Sequence, residues 1–199
     1  IDKIYNKQTG KLLTDSELIE ILNKSPQVGF DQIINKYGEI DYYEYDPYKK
    51  GQGSNKDASR RSKNGDPFPP FVMTSIGNKT LDSEKLIGKN ILLQFQLDFN
   101  IPFFSPQTLL DANTLINELQ NEVEVSSIVV TSGSKEDILK EIDPASYKTE
   151  FVSDAQNFSL KYIIIDYPSF ILIDKNGNLV SYYDYDELDK IKSDLLNIK

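Results

Sequence analysis

Short apolar runs alternate with amphipathic segments over residues 67–199, and this alternation constrains the fold more than any other feature of the sequence. Apolar runs are typical of buried strands, whereas apolar residues spaced by three and four positions are typical of helices with one buried face. The two kinds of segment follow one another along the chain at 91–97, 107–121, 125–131 and 135–142. Strands that alternate with helices predict an α/β domain in three layers.

A hairpin followed by a helix is predicted at the C-terminal end of the sequence. The runs 169–174 and 178–183 flank the tripeptide Lys-Asn-Gly at 175–177. Asn-Gly adopts the positive φ of a tight hairpin turn at low cost. The segment 186–196 follows, with Leu188 and Ile191 at helical spacing.

Residues 1–48 are expected to form a small, mainly helical extension. A helix is predicted over 17–24, with Thr14 or Asp15 as its N-cap. A second helix is predicted over 30–36, where apolar residues recur at helical spacing and Gly38 follows as a stop.

Residues 49–66 are predicted to be a basic flexible linker or surface loop between this extension and the domain at 67–199. The segment is rich in Gly, Ser and Asn and has no apolar anchor. A basic segment of this density can lie on an anionic membrane surface, at roughly 1 kcal/mol per basic residue. The alternative is a solvated loop that contacts its own acidic domain. Its basic residues are Lys49, Lys50, Lys56, Arg60, Arg61 and Lys63.

The chain contains no cysteine and no histidine. The lack of cysteine excludes a disulfide, a thiolate nucleophile, a zinc finger and an iron–sulfur cluster. The lack of histidine removes the commonest general base and transition-metal ligand. We therefore expect no metal site, no cofactor and no catalytic residue of the usual kinds.

The net charge of −9 makes the chain a poor candidate for nucleic-acid binding, which depends on neutralising phosphates with basic residues. No apolar run approaches the ~20 residues of a transmembrane helix. Neither a nucleic-acid partner nor a transmembrane segment is therefore expected.

Three motifs in residues 65–199 resemble those of a known family. The run 65–71 (GDPFPPF) is similar to its G-x-x-x-P-x-F motif, and Gly77 with 86–89 (LIGK) fits its G…L…GK pattern. The run 167–177 (YPSFILIDKNG) is similar to its x-P-T-x-F-x-I-D-x-x-G motif. The ordered set resembles the thioredoxin-like redoxin domains of the TlpA and ResA type, which are related to the AhpC/TSA peroxiredoxins.

This resemblance implies a thioredoxin-like α/β/α domain in the bacterial cell envelope. On this expectation the protein is periplasmic or a lipoprotein, and its signal segment is not present in this chain. The closest type consists of exported thiol–disulfide oxidoreductases.

The redox motif of this family is replaced in the present sequence. In the family, an aromatic-W-C-x-x-C turn after the first core strand opens a helix. Matching Phe95 with the last Phe of that strand places Phe99 on the tryptophan. Asn100 and Phe103 then occupy the positions of the two cysteines, and Pro102 occupies the position of the proline between them. Thiol–disulfide exchange requires a thiolate, so the resemblance implies a redox-inactive domain.

The resemblance also implies a cis peptide bond before Pro168, beside this turn, where relatives pair with an extended substrate chain. Such a surface can survive as a peptide-docking groove without the sulfurs. Alternatively, the proline is kept for its turn, and the N-terminal extension covers the apolar side chains. The predicted binding residues are Phe99, Asn100, Ile101, Pro102, Phe103, Tyr167 and Pro168, with Phe104 as a further wall.

Asn100 has two interpretations. By resemblance it lies at a helix N-terminus, where backbone N–H groups and the helix dipole attract an anion such as a carboxylate. Asparagine is also a good N-cap, so the residue can serve only to begin the helix.

Two runs combine tyrosines with acidic residues, at 41–46 (DYYEYD) and 182–187 (YYDYDE). Tyrosine suits protein or sugar contact, because its ring offers area at low entropic cost and its hydroxyl stays hydrated. The alternative is that these are half-exposed strand or loop residues. We also expect the first run to pair with or cover the sheet edge near the second.

Three functions from different classes remain open. The first is a redox-inactive binding or accessory protein that docks an extended peptide or partner near the former redox turn. The second is a structural accessory subunit that uses the tyrosine-rich surfaces. The third is an acid- and tyrosine-dependent hydrolase or transferase, with Asp98, Asp166 and Lys161 as ionisable groups near the turn. The lack of histidine disfavours the third.

Overall fold

Ten strands and five helices are formed by residues 3–49 and 57–198, the part of the chain that the structure, a computed structural model, describes. The strands are β1 (Ile4–Asn6), β2 (Asp31–Ile34), β3 (Ile40–Tyr45), β4 (Val72–Thr74), β5 (Thr80–Asp82), β6 (Asn90–Gln96), β7 (Val125–Thr131), β8 (Glu150–Val152), β9 (Ser169–Ile173) and β10 (Leu179–Asp184). The helices are α1 (Asp15–Lys24), α2 (Gln107–Leu119), α3 (Lys135–Glu141), α4 (Gln156–Lys161) and α5 (Leu188–Asn197).

A five-stranded sheet with the order β10-β9-β6-β7-β8 forms the centre of the molecule. Strand β6 is parallel to β7, and β7 is parallel to β8, whereas β9 runs antiparallel to both β6 and β10. Gly177, with a φ of 84°, provides the positive φ predicted for the β9–β10 hairpin.

Both faces of the central sheet are covered, which explains why every residue of β6 is buried. One face, which includes Leu92 and Phe170, packs against α2 and α5. The other face, which includes Leu93, packs against Phe158 and Tyr162 at α4 and against the β4–β5 hairpin. The three-layer α/β architecture predicted from the alternating pattern is confirmed.

The N-terminal extension contains three strands and one helix, so it is not mainly helical. Strands β1, β3 and β2 form a separate sheet in that order. The helix predicted over 30–36 is wrong, because Asp31–Ile34 is a strand that pairs with β3. The turn between them closes with the N–H of Gly38 donating to the carbonyl of Asn35. The first helix is confirmed, with a capping box between Thr14 and Glu17.

The N-terminal sheet and its β2–β3 turn contact α4 through two side-chain hydrogen bonds. Lys161 Nζ donates to the carbonyl of Ile34 at 2.8 Å, and Asn157 Nδ2 donates to the carbonyl of Gly38 at 2.8 Å. Burial lowers the pKa of Lys161. The location of Lys161 near the former redox turn was wrong, since this lysine belongs to the contact with β2.

The described part of the predicted flexible linker, residues 57–66, is fixed to both sheets. Arg60 Nη1 lies 3.1 Å from the buried carboxylate of Asp31 in β2. Arg61 donates through Nε and Nη2 to the carbonyl of Ile163, and its guanidinium lies 4.4 Å from the ring centroid of Tyr182. Both arginines contact the rest of the chain, as the second alternative predicts, but Arg61 does so through a half-buried stack rather than as a solvated side chain.

Lys50 and Lys56 lie outside the described residues, while Lys49 also pairs with Asp31. Whether residues 1–48 fold as a unit of their own stays a prediction.

The tyrosine-acid run at 41–46 does not pair with the edge strand β10. Its residues fall largely in β3, which lies between β1 and β2 in the N-terminal sheet. The free edge of β10 is met instead by residues 65–67: the N–H of Gly65 donates to the carbonyl of Leu179, and Pro67 forms a bridge with Asn178. The predicted pairing of the two runs is wrong.

Candidate functional site

The loop 97–106 leaves the carboxyl end of β6 and is fixed at its base by hydrogen bonds. The hydroxyl of Thr131, at the end of the neighbouring β7, donates to the carbonyl of Leu97 at 2.7 Å. The N–H of Asn100 donates to Asp98 Oδ1 at 2.9 Å, and the N–H of Phe104 donates to the carbonyl of Ile101. These bonds hold the loop in two successive turns.

Phe99 anchors this loop and does not form a wall of the groove. Its ring is 1% exposed and stacks on Phe104, with ring centroids 4.4 Å apart. It packs in the same cluster as Leu109 of α2 and Ile138 of α3. Phe99 fixes the loop to the core, whereas the two neighbours of Phe104 are exposed to solvent. These neighbours are Phe103, which is 76% exposed, and Ser105.

The resemblance places the start of a helix at Asn100, but the helix begins at residue 107, where the apolar spacing of 107–121 predicts it. Helix α2 starts at Gln107 with Pro106 at its N-cap. Asn100 is exposed on the preceding turn, so neither the N-cap role nor the anion site at a helix N-terminus fits this residue. The apolar run Ile101–Phe104 occupies the space between strand and helix as a loop.

The loop and the Tyr167–Pro168 segment form one groove with a volume of about 250 Å³. The Tyr167–Pro168 peptide bond is cis, as the resemblance implies. Of the predicted binding residues, Asn100 and Pro102 are exposed beside the groove rather than in its lining. The described residues that line it are Gln96, Leu97, Asp98, Ile101, Phe103, Phe104, Ser105, Thr108, Tyr167, Pro168 and Tyr185.

Tyr185 joins the groove to the second tyrosine-acid run. Asp184 pairs with Ser169 in the β9–β10 register, so the next residue, Tyr185, falls opposite Pro168. Tyr185 is exposed by more than half. The register of the predicted hairpin was the signal that could have identified this residue from the sequence.

Gln96 is a lining residue that the sequence analysis missed. It is 5% exposed, and its Nε2 is buried without a hydrogen-bond partner among the described residues. A buried donor left unpaired costs about 1–3 kcal/mol. The sequence offered one signal for this residue: Gln96 is a polar residue at the end of a mostly apolar strand, next to the loop that forms the groove.

The polar groups of the groove suit binding better than covalent chemistry. Its lining provides one carboxylate, Asp98, the amide of Gln96, and the hydroxyls of Ser105, Thr108, Tyr167 and Tyr185. Ser105 Oγ accepts from the N–H of Gln107, in the manner of a residue that supports a helix start. Nucleophilic catalysis requires a base within hydrogen-bond reach of the nucleophile, and no such pair is present among the described lining residues.

The N-terminal sheet does not cover this groove in the part of the chain that the structure describes, because every lining residue comes from 96–108, 167–168 or 185. The described residues contain no group of three or more Asp or Glu that could hold a metal ion.

No described helix has the length and apolar character needed to cross a membrane.

No family model and no curated protein matches this sequence. Solved structures do match. BsSco, a member of the Sco family of cytochrome c oxidase assembly proteins, is 17% identical over 71% of this chain and 99% of its own, with a TM-score of 0.52. The thioredoxin domain of a thiol-disulfide oxidoreductase from Bacteroides vulgatus is 17% identical over 67% of this chain and 99% of its own, with a TM-score of 0.54. The fold is thioredoxin-like.

A further thioredoxin-like relative in structure is the mitochondrial 2-Cys peroxiredoxin from Plasmodium falciparum. It is 19% identical over 68% of this chain and 94% of its own, with a TM-score of 0.56. Identities this low show the fold alone. Since this chain contains no cysteine, thiol–disulfide exchange by its own residues is excluded.

Proposed function

We propose that this protein is a redox-inactive binding protein that docks an extended segment of a partner protein in the groove beside Pro168. The observation that carries the proposal is the exposed aromatic side chain of Phe103 above a concave, mostly apolar surface. Large apolar side chains next to a pocket are typical of protein interaction sites.

The geometry of the groove supports an extended ligand. One side is formed by the loop with Ile101 and Phe103, and the other by Tyr167, Pro168 and Tyr185. A chain that lies between them can place alternate side chains into the pocket while its backbone stays extended. The exposed rings of Phe103 and Tyr185 then provide contact area at low conformational cost.

A location in the bacterial cell envelope is part of the same proposal. It is supported by the resemblance of 65–71 and 167–177 to exported domains of the TlpA and ResA type. Docking of an extended segment does not require the cysteines, because the peptide-facing surface binds without a thiol.

Site-specific photocrosslinking tests the proposal. A photoreactive phenylalanine analogue placed at Phe103 is irradiated in a native envelope extract, beside the same analogue at Tyr37. Tyr37 is the matched control, since it is also an exposed aromatic residue on a turn but belongs to the N-terminal β2–β3 hairpin.

We expect a discrete crosslinked partner from position 103 that is absent from position 37, and its loss when Tyr167→Ala is added. Circular dichroism checks that each variant is folded. Equal labelling from both positions, or no labelling from position 103, would remove the groove as the binding surface.

A further inference from the structure

Four carboxylates belong to the lining of the groove or to residues adjacent to it in the chain. Asp98 belongs to the lining itself, while the others are chain neighbours of lining residues: Asp166 precedes Tyr167, and two aspartates flank Tyr185. The last three are exposed to solvent. No lysine or arginine among the described residues lines the groove. We call Asp98, Asp166, Asp184 and Asp186 the groove carboxylates.

None of the groove carboxylates forms an ion pair within the described residues. The basic side chain that follows them along the chain, Lys190, is bonded to Glu187. Four carboxylates around one apolar depression repel an acidic partner and attract a basic one. Some carboxylates elsewhere, such as Asp31 and Glu150, are paired with lysine or arginine.

The pocket itself favours an uncharged side chain. Its walls are the apolar and aromatic side chains of Ile101, Phe104 and Pro168. Gln96 adds one amide whose Nε2 is buried without a partner among the described residues, and rotation of this side chain toward the pocket would let it donate to an oxygen acceptor on the occupant. An acidic side chain in the pocket would lose its hydration and meet the like charge of Asp98. A basic side chain would lose its hydration and find only this one carboxylate among the lining residues.

We infer that the groove recognises a basic segment, in which an aromatic or aliphatic side chain enters the pocket and lysines or arginines on both sides of it meet the groove carboxylates. This inference rests on the proposed function and adds the chemistry of the partner. The apolar anchor supplies most of the affinity, and the charges supply the discrimination between segments.

Four end-blocked heptapeptides test this inference. Each has a central residue between two glycines, with two charged residues at each end. The first carries phenylalanine and lysines, the second phenylalanine and glutamates, the third alanine and lysines, and the fourth tyrosine and lysines. Each is titrated into isotope-labelled protein, and NMR shifts of residues 101–104, 167 and 185 report binding at the groove.

Two triple variants separate local charge from net charge. Asp166→Asn, Asp184→Asn and Asp186→Asn remove three groove carboxylates. Asp15→Asn, Glu136→Gln and Glu141→Gln remove three exposed carboxylates on α1 and α3. The two proteins have the same formal charge, so only the position of the change differs.

We expect the lysine–phenylalanine peptide to bind at the groove, with an affinity that falls as salt is added. The groove variant should bind it about tenfold more weakly, while the control variant binds as the wild type does. The tyrosine peptide should bind more tightly than the phenylalanine peptide, because its hydroxyl offers an acceptor to Gln96, and Gln96→Leu should remove this difference.

Other results overturn the inference in distinguishable ways. Equal binding of the glutamate peptide, or of the groove variant, rejects the role of charge and leaves docking at the groove intact. Equal binding of the alanine peptide rejects the apolar anchor. Shifts confined to residues outside the groove reject both this inference and the proposed surface. A further outcome is that the wild type binds no peptide and sediments as a dimer, whereas the groove variant sediments as a monomer. This outcome identifies a second copy of the chain as the occupant and rejects the basic segment.

Discussion

The two main sheets of this protein bury their residues to very different extents. Every residue of the central strand β6 is buried, whereas β3, the middle strand of the N-terminal sheet, has no fully buried residue. Helix α1 of the N-terminal region likewise has no buried residue. The central sheet is enclosed by helices on one face and by α4 and a hairpin on the other, while the N-terminal sheet is a half-exposed addition.

The difference indicates that the stability of the molecule is concentrated in the central sheet. The free energy gained from apolar burial is roughly proportional to the area removed from water. The N-terminal sheet therefore depends on a few specific attachments to the rest of the chain, at Lys161, Asn157 and Arg60. Variants at matched positions in the two regions can test this division.

Truncation of one isoleucine in each sheet is the strongest test. Ile171 in β9 is fully buried, and Ile33 in β2 is half-buried. Ile171→Ala should lower the free energy of unfolding by about 2–5 kcal/mol because it leaves a cavity in a packed core. Ile33→Ala should lower it by about 1 kcal/mol or less. Urea denaturation followed by circular dichroism measures both, and similar losses would refute the division.

The same contrast in burial explains which elements the sequence predicts. Strand β6 is recognisable because burial on both faces favours a mostly apolar run, which Gln94 interrupts once before Phe95, and α2 because one buried face demands helical spacing. In β2, Ile33 and Ile34 are adjacent, which fits a helix face as well as a strand with a bulge. Only the pairing of β2 with β3, a contact between separated segments, decides between them.

The candidate site was predictable to a similar degree. The motif at Pro168 located one wall of the groove, and the run Ile101–Phe104 located the other. The roles within the run were not predictable, because Phe99 and Phe103 are the same residue type, and only packing decides which ring is buried. Arg61 was assigned to solvent because a stack on Tyr182, more than a hundred residues away, leaves no local signal.

Alanine substitution at Gly38 tests the attachment of the N-terminal sheet. A Cβ at this residue would lie 2.8 Å from Phe158 Cε2, and the backbone φ is +79°. Since Phe158 is buried, Gly38→Ala should cost about 1–3 kcal/mol from overpacking, in addition to the strain of a left-handed alanine.

Gly10→Ala is the matched control for Gly38→Ala. Its φ is +67°, but a Cβ there would meet nothing within 4 Å. This variant should show the left-handed strain alone, about 1–2 kcal/mol. If the two variants lost equal stability in thermal unfolding, the β2–β3 turn would not be packed on α4.

Arg61 connects residues 57–66 to the central sheet, and Arg61→Lys tests this connection. Lysine keeps the charge but loses the two-pronged donation to the carbonyl of Ile163 and the planar stack on Tyr182. We expect a loss of about 1–2 kcal/mol. Lys63→Gln, at an exposed position of the same segment, should change the free energy of unfolding by less than about 0.5 kcal/mol. Equal losses of stability in the two variants would support the alternative that residues 57–66 form a solvated loop.

Alkaline unfolding gives a pH-dependent test of burial at β10. Burial raises the pKa of Tyr182 from 10.0 to about 12. Between these values the unfolded chain releases the tyrosine proton while the folded chain keeps it, so stability is lost as the pH rises from about 10 toward 12. Tyr182→Phe should lose less stability over this interval than the wild type. The variant's urea midpoint at pH 9 and pH 11 measures the difference, and parallel losses would contradict it.

The smallest expected effect concerns a polar residue inside the otherwise apolar central sheet. Gln94 is 3% exposed, and its Nε2 has no hydrogen-bond partner among the described residues. Gln94→Leu removes this unpaired donor and should raise the free energy of unfolding by up to about 1 kcal/mol. Gln96→Leu should stabilise the free protein similarly but weaken recognition at the groove, because only Gln96 lines it. If Gln94→Leu instead lowered stability, the amide would have a partner such as an ordered water, and the central sheet would owe part of its stability to a buried polar contact.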